Sequence, residues 1–349
     1  MNRSLGYIAR QSNMELLRIV SMLFVLILHA NYLGIHAPSP IDFRMHPEST
    51  ILRCTIEALA IVAVNVFVLI SGWFGIKFNF NKLSSLCFQI LFFSLGFFIV
   101  FSFISPSEAF TINRIKGIFL MNADYWFVKA YLILFIFSPV LNAFIDHVSQ
   151  KQFFITLAAF YSFHTVYGWL MDASVNFTMN GTTGLSFIGL YLLGRYLRLY
   201  PSKYSTMNKY NDLLIYIGCA ILLCACNLVL LYCGKVVSVS GRLFSYASPL
   251  VIIASVYLML FFSKLSFQSK CINWIASSCL AVYLFHCNGF FFGKYYRQVI
   301  EQIYYHSDNP ITGTLIYVFA IYTLAIFIDK VRIYCWNYIS HHLFHAVSR

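Results

Sequence analysis

The chain has 349 residues, of which 60% are hydrophobic, 19% aromatic and only 10% charged, with a mean hydropathy of +0.74. A soluble surface needs roughly 25–35% charged residues, so the two soluble domains that the length would allow are excluded, as are disordered and collagen-like chains. The net charge of +12 would suggest a polyanion in a soluble protein. In a membrane protein it reads first as an orientation signal, and no nucleic-acid partner is expected.

A membrane-crossing helix needs about 20 apolar residues. Ten segments qualify: 14–34, 51–76, 84–104, 124–145, 152–171, 183–200, 213–233, 243–263, 272–293 and 311–329. The first, third, seventh and eighth are the clearest, the second is long enough to tilt, and the sixth is short and contains glycine. They predict an all-α fold, a polytopic membrane bundle of about ten transmembrane helices. It forms one domain over residues 1–349 with its core at 10–330.

No small-residue cleavage pattern follows the first apolar run, so it is expected to stay as a span. An even number of spans puts both termini on one side. The loops on that side hold nearly twice as many lysines and arginines as the opposite loops. This predicts a multi-pass protein of the inner (cytoplasmic) membrane with both termini cytoplasmic. No loop is long enough to form a soluble catalytic domain, so any chemistry falls to the spans and their short connections. No internal repeat is visible, which weighs slightly against a transporter built from repeats.

The ten cysteines do not form a disulfide framework. Cys87, Cys219, Cys224, Cys226, Cys279 and Cys287 lie inside apolar runs, and Cys224-Ala225-Cys226 has no histidine or acid pair to complete a metal site. Small apolar filler is the expected role for most of them. His341, His342 and His345 lack a completing acid or cysteine and read as an amphipathic end. No required metal is expected.

Ionisable side chains inside a span are costly and are functional candidates by default. They are Glu15, Arg18, His29, Glu57, Lys129, His164 and His286. Arg18 and His29 are eleven residues apart. Steps of about 100° return them to one face, while a rise of about 1.5 Å per residue separates them by roughly 16 Å. Glu15, one turn before Arg18, can partner it. On spacing alone, Arg18 could equally be a snorkelling interfacial arginine and His29 a hydrogen-bonded packing histidine.

The arginine, ten residues and histidine of this first span resemble the signature of the acyltransferase-3 family of membrane O-acyltransferases. Further segments agree in order. Phe67-Val68-Leu69-Ile70-Ser71-Gly72-Trp73-Phe74 is similar to the end of the family's second span. Tyr125-Trp126-Phe127-Val128-Lys129-Ala130-Tyr131, leading to Ser138-Pro139-Val140-Leu141-Asn142, resembles another span. Leu190-Tyr191-Leu192-Leu193-Gly194-Arg195-Tyr196 resembles a span exit, and Asn273-Trp274-Ile275-Ala276-Ser277-Ser278 running into Val282-Tyr283-Leu284-Phe285-His286 a late span.

The resemblance implies acyl transfer from cytoplasmic acetyl-CoA, a co-substrate, to a hydroxyl of a surface polysaccharide, lipid-linked glycan or glycolipid. Some relatives carry a fused hydrolase-like domain, and none is expected here. The chain would then act alone or with a separate partner protein on the outer side. His29 is expected to serve as base or as transient nucleophile. Arg18, Lys77 and Lys82 would meet the donor's phosphates, although plain positive-inside anchoring also accounts for the two lysines.

His286 would contact substrate or hold another polar group. Glu57 would orient His29 or pair with Arg53. Trp126 and Tyr131 would wall the substrate cavity or form an interfacial aromatic belt. Lys129 would face the cavity or pair with an acid, Glu15 would also belong to the substrate cavity, His164 is structural, and Ser71-Gly72 permit close packing. The competing readings are a transporter or flippase, whose polar stripe would be a substrate or proton path, and a structural subunit.

Overall fold

A computed structural model describes residues 10–171, 179–236 and 241–346, except the side chains of 342–346. The His342 and His345 side chains therefore lie outside the described residues. The described residues form helices and turns and no strand.

Helix α1 (Ser12–Leu28) runs into a π-helical turn at His29–Gly34. A short capped helix, α2 (Pro40–Met45), leads to α3 (Pro47–Ala60) and α4 (Ala63–Phe74), which continue one another across a tight turn. Helix α5 (Phe80–Ile104) follows, then the short α6 (Pro106–Ala109) and α7 (Ile112–Ile118), then α8 (Trp126–His147). Helix α9 (Gln150–Thr165) is extended by a second π turn to Met171, and α10 (Gly184–Leu199) and α11 (Lys209–Tyr232) come next. The chain ends with α12 (Pro249–Ser263), α13 (Lys270–Ala276), α14 (Cys279–His286), α15 (Gln298–His306) and α16 (Pro310–Ala346). Many starts are written locally. The side chains of Asn79, Ser149, Thr183, Asn208 and Ser269 accept first-turn N–H groups, which satisfies donors a helix cannot pair internally.

All ten expected segments are helical, but among the described residues seven are long and apolar enough to cross a membrane. These are α1 with its π turn, α3–α4, α5, α8, α9 with its π turn, α11, and α16. The other three correct the expectation. Helix α10 has 16 residues. Helix α12 has 15 because residues before Pro249 form turns held by Ser245. The 272–293 segment breaks at Ser277–Ser278, where Lys330 Nζ takes Trp274 O and Ser277 Oγ. Helix α16, in contrast, runs well past 329 to Ala346.

Burial sorts the helices. In the most apolar 18-residue stretch of each span, 72% of residues are buried in α3–α4 and 50% in α1 with its π turn, against 28% in α5 and α16 and 22% in α9 with its π turn. The outer helices keep Ile99, Phe154 and Phe327 exposed, which suits a surrounding of lipid tails. The protein is a polytopic helical membrane protein with α1 and α4 at its centre.

Helices α4 and α10 pack backbone against backbone. A Cβ on Gly72 would stand 2.2 Å from Tyr191 O, and one on Gly194 would stand 2.4 Å from Leu69 O. Two backbones touch here as small residues in membranes allow. Nearby, Tyr191 Oη donates to Asn142 Oδ1 (2.6 Å) and accepts from Ile76 N (3.1 Å), while Asn142 Nδ2 donates to Ile76 O (2.8 Å). These bonds clamp the turn after Gly75. Gly72→Leu is therefore expected to destabilise by at least the roughly 1–3 kcal/mol typical of overpacking. The measurement is the thermal midpoint in detergent, and an unchanged midpoint would contradict this packing.

Candidate active site

Arg18, Met22, Val25 and His29 recur at helical spacing and all line one cavity of about 320 Å³. The facing walls come from α4 (Val64, Phe67, Ser71), α8 (Trp126, Phe127, Tyr131), Tyr246 and the α13–α14 break (Ala276, Ser277, Cys279, Tyr283). The stripe expected from spacing is thus a wall of this cavity. Arg18 and His29 are kept apart by about 16 Å of helix rise.

At the first end, Arg18 Nη1 donates to Glu15 Oε1 at 2.6 Å, and its guanidinium lies 5.9 Å from the Phe74 ring. Glu15 is buried and, against the expectation of a cavity residue, does not itself line the cavity because its carboxylate is taken up by Arg18. Arg10 also lines it and is tied to Asn273 O at 3.2 Å. Lys77 and Lys82 do not. Gly75, at φ +75°, turns the chain out of α4, and both lysines are exposed away from the cavity wall. The cations at the mouth are Arg18 and Arg10, with Lys330 bonded to the wall residue Ser277.

At the other end the helix changes type. The π turn at His29 closes with Ile35 N on Ala30 O at 3.0 Å. Such turns hold one more residue than an α turn and recur at functional sites. Tyr296 Oη donates to Leu26 O (2.7 Å), and Arg297 Nε donates to Leu33 O (2.7 Å), satisfying carbonyls around the irregularity. Asn31 fixes the turn to α3. Its Nδ2 donates to Arg53 O (2.9 Å) and Glu57 Oε2 (3.0 Å), while Arg53 Nε donates to its Oδ1 (3.1 Å). Arg53 also donates to His36 O.

Glu57 therefore belongs to a buried clamp. It does not reach His29, and Asn31 bridges it to Arg53, so the sequence reading of Glu57 as the orienting acid is corrected.

The partner of His29 is His286. Nδ1 of His29 lies 2.9 Å from Nε2 of His286, and Nδ1 of His286 lies 2.6 Å from Val282 O. A carbonyl only accepts, so neutral His286 carries its proton on Nδ1 and offers a bare Nε2. His29 Nδ1–H must then be the donor between the two rings. That leaves Nε2 of His29 as a bare basic nitrogen, paired with no described residue, on a ring that lines the cavity. His286 is fully buried, and Cys287 Sγ lies 3.3 Å from its Nε2 and 3.6 Å from His29 Nδ1.

The remaining expectations divide. Trp126 and Tyr131 line the cavity. Trp126 stacks on Tyr246 with centroids 6.0 Å apart, and Tyr131 Oη lies 3.3 Å from Ser71 Oγ. Lys129 does not line it. Its ammonium donates to Asn122 O (2.5 Å) and caps the loop before α8, where Tyr125 sits at φ +56°. His164 bonds Ser186 Oγ at 3.0 Å on the α9–α10 side, in keeping with a structural role.

Sequence reasoning missed four contributors. Cys287 reads as apolar filler in the sequence, although it directly follows His286. Tyr283 lies within a quoted motif. Tyr246 and Arg10 carried no local signal.

Comparison with known proteins gives one finding. The family model for the acyltransferase domain of the acyltransferase-3 type matches residues 11–330, from the start of α1 into α16. Neither the curated proteins nor the solved structures yield a match. The matched stretch contains the whole cavity wall except Arg10, along with both histidines. The chain is therefore a multi-pass membrane protein belonging to the acyltransferase-3 family.

Proposed function

We propose that the protein moves an acetyl or other short acyl group from acyl-CoA to a hydroxyl of a surface polysaccharide, lipid-linked glycan or glycolipid. The observation that carries this is the single cavity joining Arg18 to His29, with the His29 tautomer set by His286. The donor's phosphates meet Arg18 and Arg10 at the mouth, and its thioester reaches along the apolar wall to His29. The acceptor hydroxyl gives its proton to His29 Nε2 as its oxygen attacks the thioester carbonyl. Departing CoA thiolate takes that proton back. His286 Nε2 accepts the hydrogen bond of His29 Nδ1 throughout and stabilises the transient imidazolium.

In this reading the mouth faces the cytoplasm with both termini, in the inner membrane. The glycan comes from the other side, directly or handed on by a separate outer partner protein. A purified-protein assay tests the activity. Consumption of acetyl-CoA with release of free CoA supports it. Solute uptake into liposomes without CoA chemistry would favour a transporter instead. Arg18 has its own test. Arg18→Ala removes a charge-assisted contact worth about 1.5–3 kcal/mol, so KM for acyl-CoA should rise roughly 10- to 150-fold. An unchanged KM would remove Arg18 from the donor site.

A further inference from the structure

His29, His286 and Cys287 bring three atoms able to ligate a metal within 4.8 Å of one another. Their separations are 2.9, 3.3 and 3.6 Å. A tetrahedral zinc ion, with Zn–N of about 2.0–2.1 Å and Zn–S of about 2.3 Å, needs its ligand atoms roughly 3.3–3.6 Å apart. The two distances to sulfur already fit, and the two rings need to part by only a few tenths of an ångström.

The surroundings add to this. His286 Nδ1 is held by Val282 O at 2.6 Å, and metal-binding histidines are commonly oriented in this way through their second nitrogen. His29 is fixed by the π turn and by Tyr296 Oη on Leu26 O. Two imidazoles and a thiolate with no carboxylate select a borderline cation such as zinc over magnesium or calcium. Three protein ligands leave a fourth position open for water. Cys287 is only half-buried, which leaves a way in.

We propose that His29, His286 and Cys287 form a binding site for one zinc-class divalent ion. The ion takes the lone pair of His29 Nδ1, so the single proton of that ring moves to Nε2, while the Cys287 thiol proton leaves to solvent. Occupation thereby removes the basic nitrogen that faces the cavity. The binding is independent of any reaction, and only the resulting inhibition rests on the acyl-transfer reading.

The test loads the purified full-length protein with cobalt(II). One equivalent should produce intense tetrahedral visible bands and a near-ultraviolet thiolate-to-metal band, both displaced by zinc. X-ray absorption of the zinc-loaded wild type should find one sulfur in the first shell. Cys287→Ser should abolish the thiolate band and weaken binding by about tenfold or more, since loss of mere second-shell partners costs 10–100-fold. Cys226→Ser, on the exposed face of α11, should retain both. A wild-type shell without sulfur, or a band that survives Cys287→Ser, overturns the site, and the wild-type spectrum decides even if the variant does not fold. Zinc should also halt CoA release. If the spectra hold and release continues, the role of His29 as the base of acyl transfer fails and the site stands.

Discussion

Replacing His29 by alanine is expected to lower acyl transfer by about 10²–10⁴-fold, the usual worth of a positioned general base. The substitution removes the one bare ring nitrogen that the His29–His286–Val282 chain presents to the cavity. Arg18, Arg10 and the aromatic walls remain, so KM for acyl-CoA should stay close to wild type. The readouts are CoA release at matched protein amounts and the O-acyl signal in proton NMR of the surface glycan. Wild-type CoA release by His29→Ala would refute the proposed chemistry. A wild-type peptide bearing an acyl group on His29, after incubation with acyl-CoA alone, would replace the base by a nucleophile.

In the proposed chemistry His286 acts through His29, as a positioning residue. His286→Ala leaves the Nδ1–H of His29 only the Cys287 sulfur, a weak acceptor at 3.6 Å, and an unsatisfied buried donor costs about 1–3 kcal/mol, or roughly 5- to 150-fold in rate. The loss should fall on kcat and leave KM for acyl-CoA alone, because His286 does not line the cavity. His286→Gln should recover part of it, since a side-chain carbonyl can accept from His29 Nδ1–H. Equal loss in both variants, or a matching rise in KM, would reduce His286 to a packing residue.

What the sequence made legible was what helical period and near neighbours decide. Arg18 and His29 on one face follow from 3.6 residues per turn, and the Glu15–Arg18 bond spans a single turn. Gly72 against Tyr191 was foreshadowed by its small size. Facts set by distant chain were hidden. Glu57 lay at a plausible depth for His29, yet Asn31 on the π turn captures it, and a switch from α to π spacing leaves little mark in composition. Lys77 and Lys82 looked like mouth residues until the turn at Gly75 carried them off. The ninth apolar run gave no hint of its break, because Lys330 from α16 supplies the bonds that sustain it.

The two halves of the histidine pair lie 257 residues apart, and this bears on synthesis. Helix α1 depends on late chain along its whole length. Ser12 bonds Asn273, Asn13 bonds Phe262 O, and Tyr296 and Arg297 complete the π turn. At about 5–20 residues added per second, His29 waits roughly 13–50 s for His286 to emerge from the ribosome. During that wait the charge of Arg18 is already answered by Glu15, within the same helix. The first helix thus enters the membrane with its charge paired and its histidine pair unfinished, and under the proposed chemistry a chain released before residue 286 would be embedded but inert.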